Sequence, residues 1–288
     1  MNQTFLLSVL LGFQLISTTA VLGLSNDSLT LDDLALNDGI EFKLTSLGGH
    51  SGYCLNLSVK NNSGDTVRIY IEPGRVLVCD SSFMQDLIVM RALYFKVSPR
   101  EESQNSLFAF CCRAKKMSPS KNTRFEKGYL DRDGLGMLAA FVSQGNYLPA
   151  DIQSSVWVIS DKHPLASICS QKMGSSYALK KWLAEKLKKP VPWYCIQYDM
   201  QDTSVFQNKH LRVSGSIKFR VSHYSLVTVQ IRSKTGVLVK TLQNNVACTA
   251  GEYDYPLDID VQGWPSDNYE ILIFEDGNRS QTNQSFIL

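Results

Sequence analysis

The sequence predicts an α+β amino-terminal domain, made of a β-sandwich and about three helices, followed by an all-β sandwich. Three observations predict this order. Apolar and polar residues alternate over 40–113, apolar residues recur with helical spacing over 133–190, and alternation returns from His210 onwards. The chain has 288 residues, of which 44% are hydrophobic, and these values fit about two globular domains.

Residues 1–20 are predicted to be a secretory signal peptide. Residues 5–16 form an apolar run, and Thr18 and Ala20 have the spacing of small residues that signal peptidase reads, with cleavage after Gly23 as an open alternative. The run is shorter than the roughly 20 residues that span a bilayer, so we expect no transmembrane segment in the mature chain. A secreted or cell-surface protein is predicted.

The first domain is predicted to cover residues 24–199 and to begin with strands. Alternation over 53–59, a turn over 61–65 and renewed alternation over 67–71 predict a hairpin with a five-residue loop. The same reasoning extends the β-structure towards residue 113. Further strands are predicted over 76–79, 87–97 and 107–112.

Two helices are predicted after these strands. Asp133 can cap the first helix, which ends before Gly145. Pro149 suits the first turn of the second helix, because proline has no N–H to leave unpaired there, and this helix runs to about Ser160.

A third helix is predicted to end before Pro190. Leu179 and Leu183 lie on one side of it, which predicts a face that packs against the core. The segment is also rich in lysines, among them Lys180 and Lys181. Such lysines usually face solvent, and we expect them to do so here.

The carboxyl-terminal region is predicted to be a separate β-module. Residues 200–209 are polar and predict a linker. Residues 210–288 contain several short alternating runs with turns at 233–236 and 276–278, which predict an immunoglobulin-like β-sandwich. The alternating runs are 217–221, 227–231, 253–259 and 269–273.

Charge and cysteine content limit the kinds of function. The chain has 29 Lys+Arg and 27 Asp+Glu, so its net charge of +2 predicts no nucleic-acid partner. Seven cysteines in an exported chain favour disulfides, although an odd number leaves at least one without a partner in the chain. The four histidines are scattered and no C-x-x-C pair occurs, so we predict neither a metal site nor a cofactor.

The carboxyl-terminal module resembles the short immunoglobulin-like modules of bacterial secreted proteins, namely type IX secretion modules and the flagellar hook-capping domain. The matching residues are 217–219, 227–231, 235–236, 251–253, 267–271 and the apolar tail 285–288. The lysine that is common near such tails is absent. The resemblance implies a module for attachment or sorting that performs no chemistry of its own.

The first domain resembles the thioester domains of bacterial surface adhesins. Those domains join a cysteine at the end of a strand to a glutamine on a later helix, in a segment that continues through small and apolar residues to a tryptophan. Here Cys111 and Cys112 end a strand, and Gln153 and Trp157 lie on the second helix. The sequence departs from the pattern at 152 and 154, where isoleucine and serine replace the usual threonine and alanine.

The residues themselves favour Cys112 as the thioester candidate. Alternate strand residues point to opposite faces, so Cys112 shares the bulky aromatic face with Phe108 and Phe110, whereas Cys111 points the other way. Trp157 follows Gln153 by four residues and therefore lies over the same helical face, where it can shield the bond from water. Cys111 stays open as the alternative.

Together these features predict a secreted or cell-surface, adhesin-like binding protein of a bacterium. The resemblance implies covalent attachment to amines of a target, with a protein or a glycan on a surface as the partner. The first alternative is a non-catalytic interaction module in which Cys111 and Cys112 form ordinary disulfides.

The second alternative is a cysteine-dependent hydrolase with Cys112 as nucleophile, His163 as base and Asp161 to orient it. Two residues apart, Asp161 and His163 cannot face each other on a helix. The sequence also lacks a nucleophile elbow, a phosphate loop and a paired-carboxylate motif. We therefore predict that the protein is not an enzyme.

Overall fold

The computed structural model describes residues 27–169, 173–199 and 209–288, and for 173–175 and 280–283 it describes the backbone only. Across these residues the chain is mostly β, with sixteen strands and four α-helices, as the β-rich α+β prediction requires. The predicted signal peptide and residues 200–208 of the predicted linker lie outside the described residues.

Nine strands and one short helix precede the three longer helices. The helix α1 (Leu31–Ala35) was not predicted; it begins at a capping box in which the side chains of Thr30 and Asp33 each accept a backbone N–H. The strands are β1 (Ser28–Leu29), β2 (Ile40–Ser46), β3 (Ser51–Asn61), β4 (Val67–Ile71), β5 (Arg75–Cys79), β6 (Leu87–Val89), β7 (Leu93–Val97), β8 (Glu102–Cys111) and β9 (Arg124–Leu130).

Six of these strands close a barrel in the order β2-β3-β8-β6-β5-β9, where the sequence predicted a sandwich. Closure occurs because β2 pairs with β3 along one edge and, through Leu44 and Phe125, with β9 along the other. Side chains such as Leu55, Leu57 and Leu107 fill the interior. The barrel is therefore a packed core.

The predicted hairpin over residues 53–71 is wrong. β3 pairs with β2 and β8, whereas β4 belongs to a separate sheet of order β1-β4-β7. The cause is Asn61, which is fully buried and whose Nδ2 donates to the carbonyl oxygens of Asp65 and Val97. These bonds direct the chain from one sheet into the other instead of back along β3.

The three longer helices cover the outer face of the barrel. They are α2 (Gly134–Ser143), α3 (Pro149–Ser160) and α4 (Met173–Leu187), with a 3₁₀ turn at Leu165–Ser167. All three were predicted, and Pro149 opens α3 as expected. Asp133 occupies the N-cap position of α2 but makes no side-chain capping bond. The carboxylate of Asp131 instead accepts from the N–H groups of Asp133 and Gly136.

Seven strands follow. Their two sheets have the orders β10-β11-β14 and β13-β12-β15-β16, and residues from both, such as Val213 and Ile271, share one buried core. This is a sandwich, and its relation to immunoglobulin-like modules stays a prediction. The strands are β10 (Tyr194–Tyr198), β11 (His210–Val221), β12 (Ser225–Ser233), β13 (Leu238–Cys248), β14 (Gly251–Asp260), β15 (Asn268–Glu275) and β16 (Asn278–Ile287).

The strand β10 connects the two halves of the chain. It lies before residue 199, where the sequence placed the end of the first domain, yet it pairs antiparallel with β11 of the sandwich. The first described strand of the carboxyl-terminal sheets is therefore β10, which begins at Tyr194. The division of the chain at residues 200–209 stays a prediction.

Candidate functional site

The candidate site lies where α3 crosses the end of β8. Ile152 and Val156, one helical turn apart, are fully buried and pack on the same side of the barrel as Phe110. Gln153 follows Ile152 and is 2% exposed, so a polar carboxamide is enclosed between the helix and the sheet. A buried amide must find hydrogen-bond partners there.

Both ends of the Gln153 carboxamide bind the backbone of one residue, Cys111. The Cys111 N–H donates to Gln153 Oε1 at 3.1 Å, and Gln153 Nε2 donates to the Cys111 carbonyl oxygen at 2.8 Å. The carboxamide thus pairs with the end of β8 as a neighbouring strand would. Because the Cys111 carbonyl belongs to the peptide bond that leads to Cys112, the carboxamide lies beside the Cys111–Cys112 peptide.

The two cysteines point to opposite faces of β8, as the alternation predicts. Cys111 is packed inside the barrel, whereas Cys112 lies in the cluster of side chains between barrel and helices, together with Trp157. Burial raises the pKa of the Cys111 thiol well above its usual value, and the neighbouring Cys54 adds to this effect. Burial also raises the pKa of the Cys112 thiol, and the nearby negative charge of Asp86 raises it further. Both side chains are therefore protonated thiols at neutral pH.

Cys112 also lines a cavity of about 400 Å³. Asp86 and Asp161 in its wall have structural partners: the first accepts from the Cys79 N–H at 3.0 Å and the second from the Ala114 N–H at 3.1 Å. The cavity offers a path by which a molecule from outside could reach the Cys112 side chain. Its remaining lining residues are Val76, Arg113, Lys115, Lys116, Tyr129, Leu135 and Ser160.

The components of the hydrolase alternative lie in different cavities. His163 lines a second cavity of about 270 Å³, next to Trp157 and Tyr198, and that cavity shares no described lining residue with the one at Cys112. Burial lowers the pKa of His163, which keeps the ring neutral near pH 7. Asp161, assigned to orient His163, lines the Cys112 cavity and receives hydrogen bonds from the Ala114 N–H and Ser160 Oγ.

All seven cysteines lie among the described residues, and one disulfide joins two of them, Cys169 and Cys195. Cys111 and Cys112 do not form the ordinary disulfides that the first alternative expects, because both are free thiols. Cys111 shares its core with two further free thiols, Cys54 and Cys79, whereas Cys112 lies in the cluster beneath the helices. The other free thiols are Cys54, Cys79 and Cys248.

Sequence reasoning missed a buried polar cluster on α4. Lys180, expected in solvent, is only 7% exposed, and its Nζ lies 3.3 Å from Cys195 Sγ. One turn earlier, Ser176 Oγ donates to the Asp151 carboxylate of α3 at 2.8 Å. A signal was present: Ser176 and Ala184 flank Lys180 at four-residue spacing, and small residues on one helical stripe leave room for a long side chain.

The chain matches no protein-family model, no curated protein and no solved structure. Among the described residues, no helix has the length and apolar character needed to cross a membrane.

Proposed function

We propose that this chain is a secreted or cell-surface, adhesin-like binding protein that attaches covalently to amines of its target through a thioester between Cys112 and Gln153. The observation that supports this proposal most directly is the position of the Gln153 carboxamide, held by two hydrogen bonds beside the Cys111–Cys112 peptide. A fixed, dry position for the reacting amide is what thioester formation needs.

Bond formation is an exchange of ammonia for sulfur. The Cys112 sulfur adds to the Gln153 Cδ atom, the C–N bond breaks, and ammonia leaves with the proton of the thiol. A target amine later attacks the same carbon, the C–S bond breaks, and the Cys112 thiol returns with one proton of the amine. The product is an amide between Gln153 and the target. Each molecule reacts once, so this is attachment and not enzyme turnover.

The surroundings of the two residues suit such a bond. Trp157, which is 5% exposed, and Ile152 pack in the same cluster as Cys112, which limits access of water from the helix side. The cavity lined by Cys112 provides the approach for an amine. The high pKa of the Cys112 thiol means that thiolate forms rarely, so the fixed geometry has to supply much of the acceleration.

Under this proposal the other segments of the chain have supporting roles. A signal peptide at 1–20 would export the chain, and an immunoglobulin-like module at 210–288 would attach or position the reactive domain at 24–199. The partner would be a protein or a glycan on a surface, reached without a cofactor. A bacterial source follows from the same resemblances.

Intact-mass measurement of the mature, disulfide-bonded chain tests the thioester. We expect a mass about 17 Da below that of the disulfide-bonded sequence, because ammonia is lost, and methylamine should add its full mass to Gln153. Cys112→Ser should abolish the deficit and Cys111→Ser should keep it. An unchanged wild-type mass would exclude the bond, and the reverse pattern of variants would assign it to Cys111.

A second candidate is a non-catalytic interaction module, favoured by the same hydrogen bonds. Gln153 satisfies the end of β8 as a neighbouring strand would, which is a structural role that needs no reaction. Under this hypothesis the wild-type mass shows no deficit and methylamine adds nothing. Target binding would then be reversible.

A further inference from the structure

The two sulfurs of the Cys169–Cys195 disulfide have different surroundings. Both residues are half-buried. Cys169 lines the 270 Å³ cavity together with Trp157 and His163, whereas Cys195 is not among the described residues that line it. A small molecule in this cavity would therefore meet Cys169 first.

Cys195 contacts a cation on its other side. Lys180 Nζ lies 3.3 Å from Cys195 Sγ and is almost fully enclosed. Burial lowers the pKa of Lys180, and the negative charge of Asp151 acts in the opposite direction and favours the ammonium form. An ammonium group at this distance stabilises a thiolate more than a thiol.

We propose that Cys169–Cys195 is a thiol–disulfide exchange site, which takes a small thiol at Cys169 and releases Cys195 as a thiolate paired with Lys180. The thiolate of the incoming molecule attacks Cys169 Sγ, a new S–S bond forms there, and the Cys169–Cys195 bond breaks. Its electron pair stays on Cys195. The product is a mixed disulfide at Cys169, and a second thiol molecule would displace it, leaving two cysteines and one oxidised dimer of the thiol.

The direction of attack follows from general thiol chemistry. Exchange is faster when the departing sulfur has the lower pKa, and Lys180 contacts Cys195. The cavity gives access from the side of Cys169. Access and leaving-group stability thus favour the same product, although they arise from different elements of the fold.

The product distribution in the wild-type chain gives the first test. The oxidised, full-length mature protein is treated briefly with reduced glutathione, quenched in acid, alkylated and mapped by peptide mass spectrometry. We expect glutathione on Cys169 in about tenfold excess over Cys195, with Cys195 alkylated instead. Equal labelling, or glutathione mainly on Cys195, would overturn the proposal without any variant.

Variants of α4 give the second test. Lys180→Met should slow the reaction with glutathione about tenfold, because the departing thiolate loses its cation, and Lys180→Arg should restore most of the rate. Lys181→Met, on the exposed neighbouring position, is the matched control and should react like the wild type. A Lys180→Met rate equal to that of the control would overturn the role of Lys180, and circular dichroism would confirm that both variants are folded.

Discussion

Two sulfur sites share Trp157, and they differ in almost every other respect. Cys112 packs in the same apolar cluster as Trp157, whereas Cys169 and Trp157 both line the 270 Å³ cavity. The pKa of the Cys112 thiol is raised by its dry surroundings, while Cys195, the disulfide partner of Cys169, has an ammonium nitrogen 3.3 Å away. One layer of helices thus encloses the Cys112 sulfur in apolar surroundings and leaves the Cys169–Cys195 disulfide between a cavity and a cation.

The largest effect is expected from removing the Trp157 side chain, which the two sulfur sites share. Trp157→Ala should lower the free energy of unfolding by about 3–5 kcal/mol, because a large buried side chain leaves a cavity behind. Once methylamine has opened the thioester, the substitution should also speed alkylation of the Cys112 thiol by iodoacetamide. Urea denaturation and peptide mapping measure the two effects.

Trp264→Ala is the control for this change, since Trp264 packs at the edge of the carboxyl-terminal core. It should cost less stability and leave Cys112 as unreactive as in the wild type. If Trp157→Ala left the alkylation rate of Cys112 unchanged, Trp157 would not be the barrier that separates Cys112 from solvent.

An effect of intermediate size is expected from a change at Gln153, which lies at the Cys112 site only. In a Cys112→Ser background, where the carboxamide stays free, Gln153→Ala should lower the free energy of unfolding by about 2 kcal/mol, since two buried hydrogen bonds to the Cys111 backbone are lost. The rate of exchange at Cys169 should stay at the wild-type value. Gln104→Ala, on an exposed position of β8, should change neither quantity. A matching loss of exchange rate would show that the two sites are coupled.

The smallest effect concerns Cys54, a third buried thiol. Burial raises the pKa of Cys54 to about 11, and its Sγ lies 3.3 Å from the Ala109 carbonyl oxygen. Between about pH 9 and 11 the unfolded chain loses this proton and the folded chain keeps it. Stability should therefore fall with rising pH, by about 1.4 kcal/mol per unit for this thiol.

Urea denaturation without oxygen at pH 8, 9 and 10 measures this slope. Cys54→Ala should reduce the slope of unfolding free energy against pH by the contribution of one thiol, whereas Ser58→Ala on the same strand should leave the slope unchanged. Equal slopes in Cys54→Ala and the wild type would mean that the folded Cys54 ionises like an exposed thiol.

Much of the helical layer could be predicted from the sequence because its signals are local. Pro149 marks the start of α3 through its missing N–H, and the alternation along β8 assigns Cys111 and Cys112 to opposite faces. Both inferences need only neighbouring residues. The hydrogen bonds between Gln153 and Cys111 were not predicted, although the proximity of their two segments was.

The remaining features depend on contacts between distant residues. Barrel closure pairs Leu44 with Phe125, and alternation tells which face of a strand is buried but not which strand lies next to it. The partners Cys169 and Cys195 could not be chosen from seven cysteines for the same reason. Lys180 was expected in solvent because of its charge. The small residues around it leave room for burial, but only the packing of α4 against α3 and β10 shows that Lys180 is buried there.

The disulfide also decides how the chain would carry a mechanical load. Cys169 and Cys195 are 26 residues apart, and α4 lies entirely within the loop they close. Tension between the barrel and the carboxyl-terminal sheets therefore passes from sulfur to sulfur into β10 and its pairing with β11, while α4 stays unloaded. The disulfide prevents the loop between Cys169 and Cys195 from extending, and at about 3.4 Å per residue this loop could extend to on the order of 85 Å. Reduction would release this length, so the redox state sets how far the segment between the barrel and β10 can extend under load.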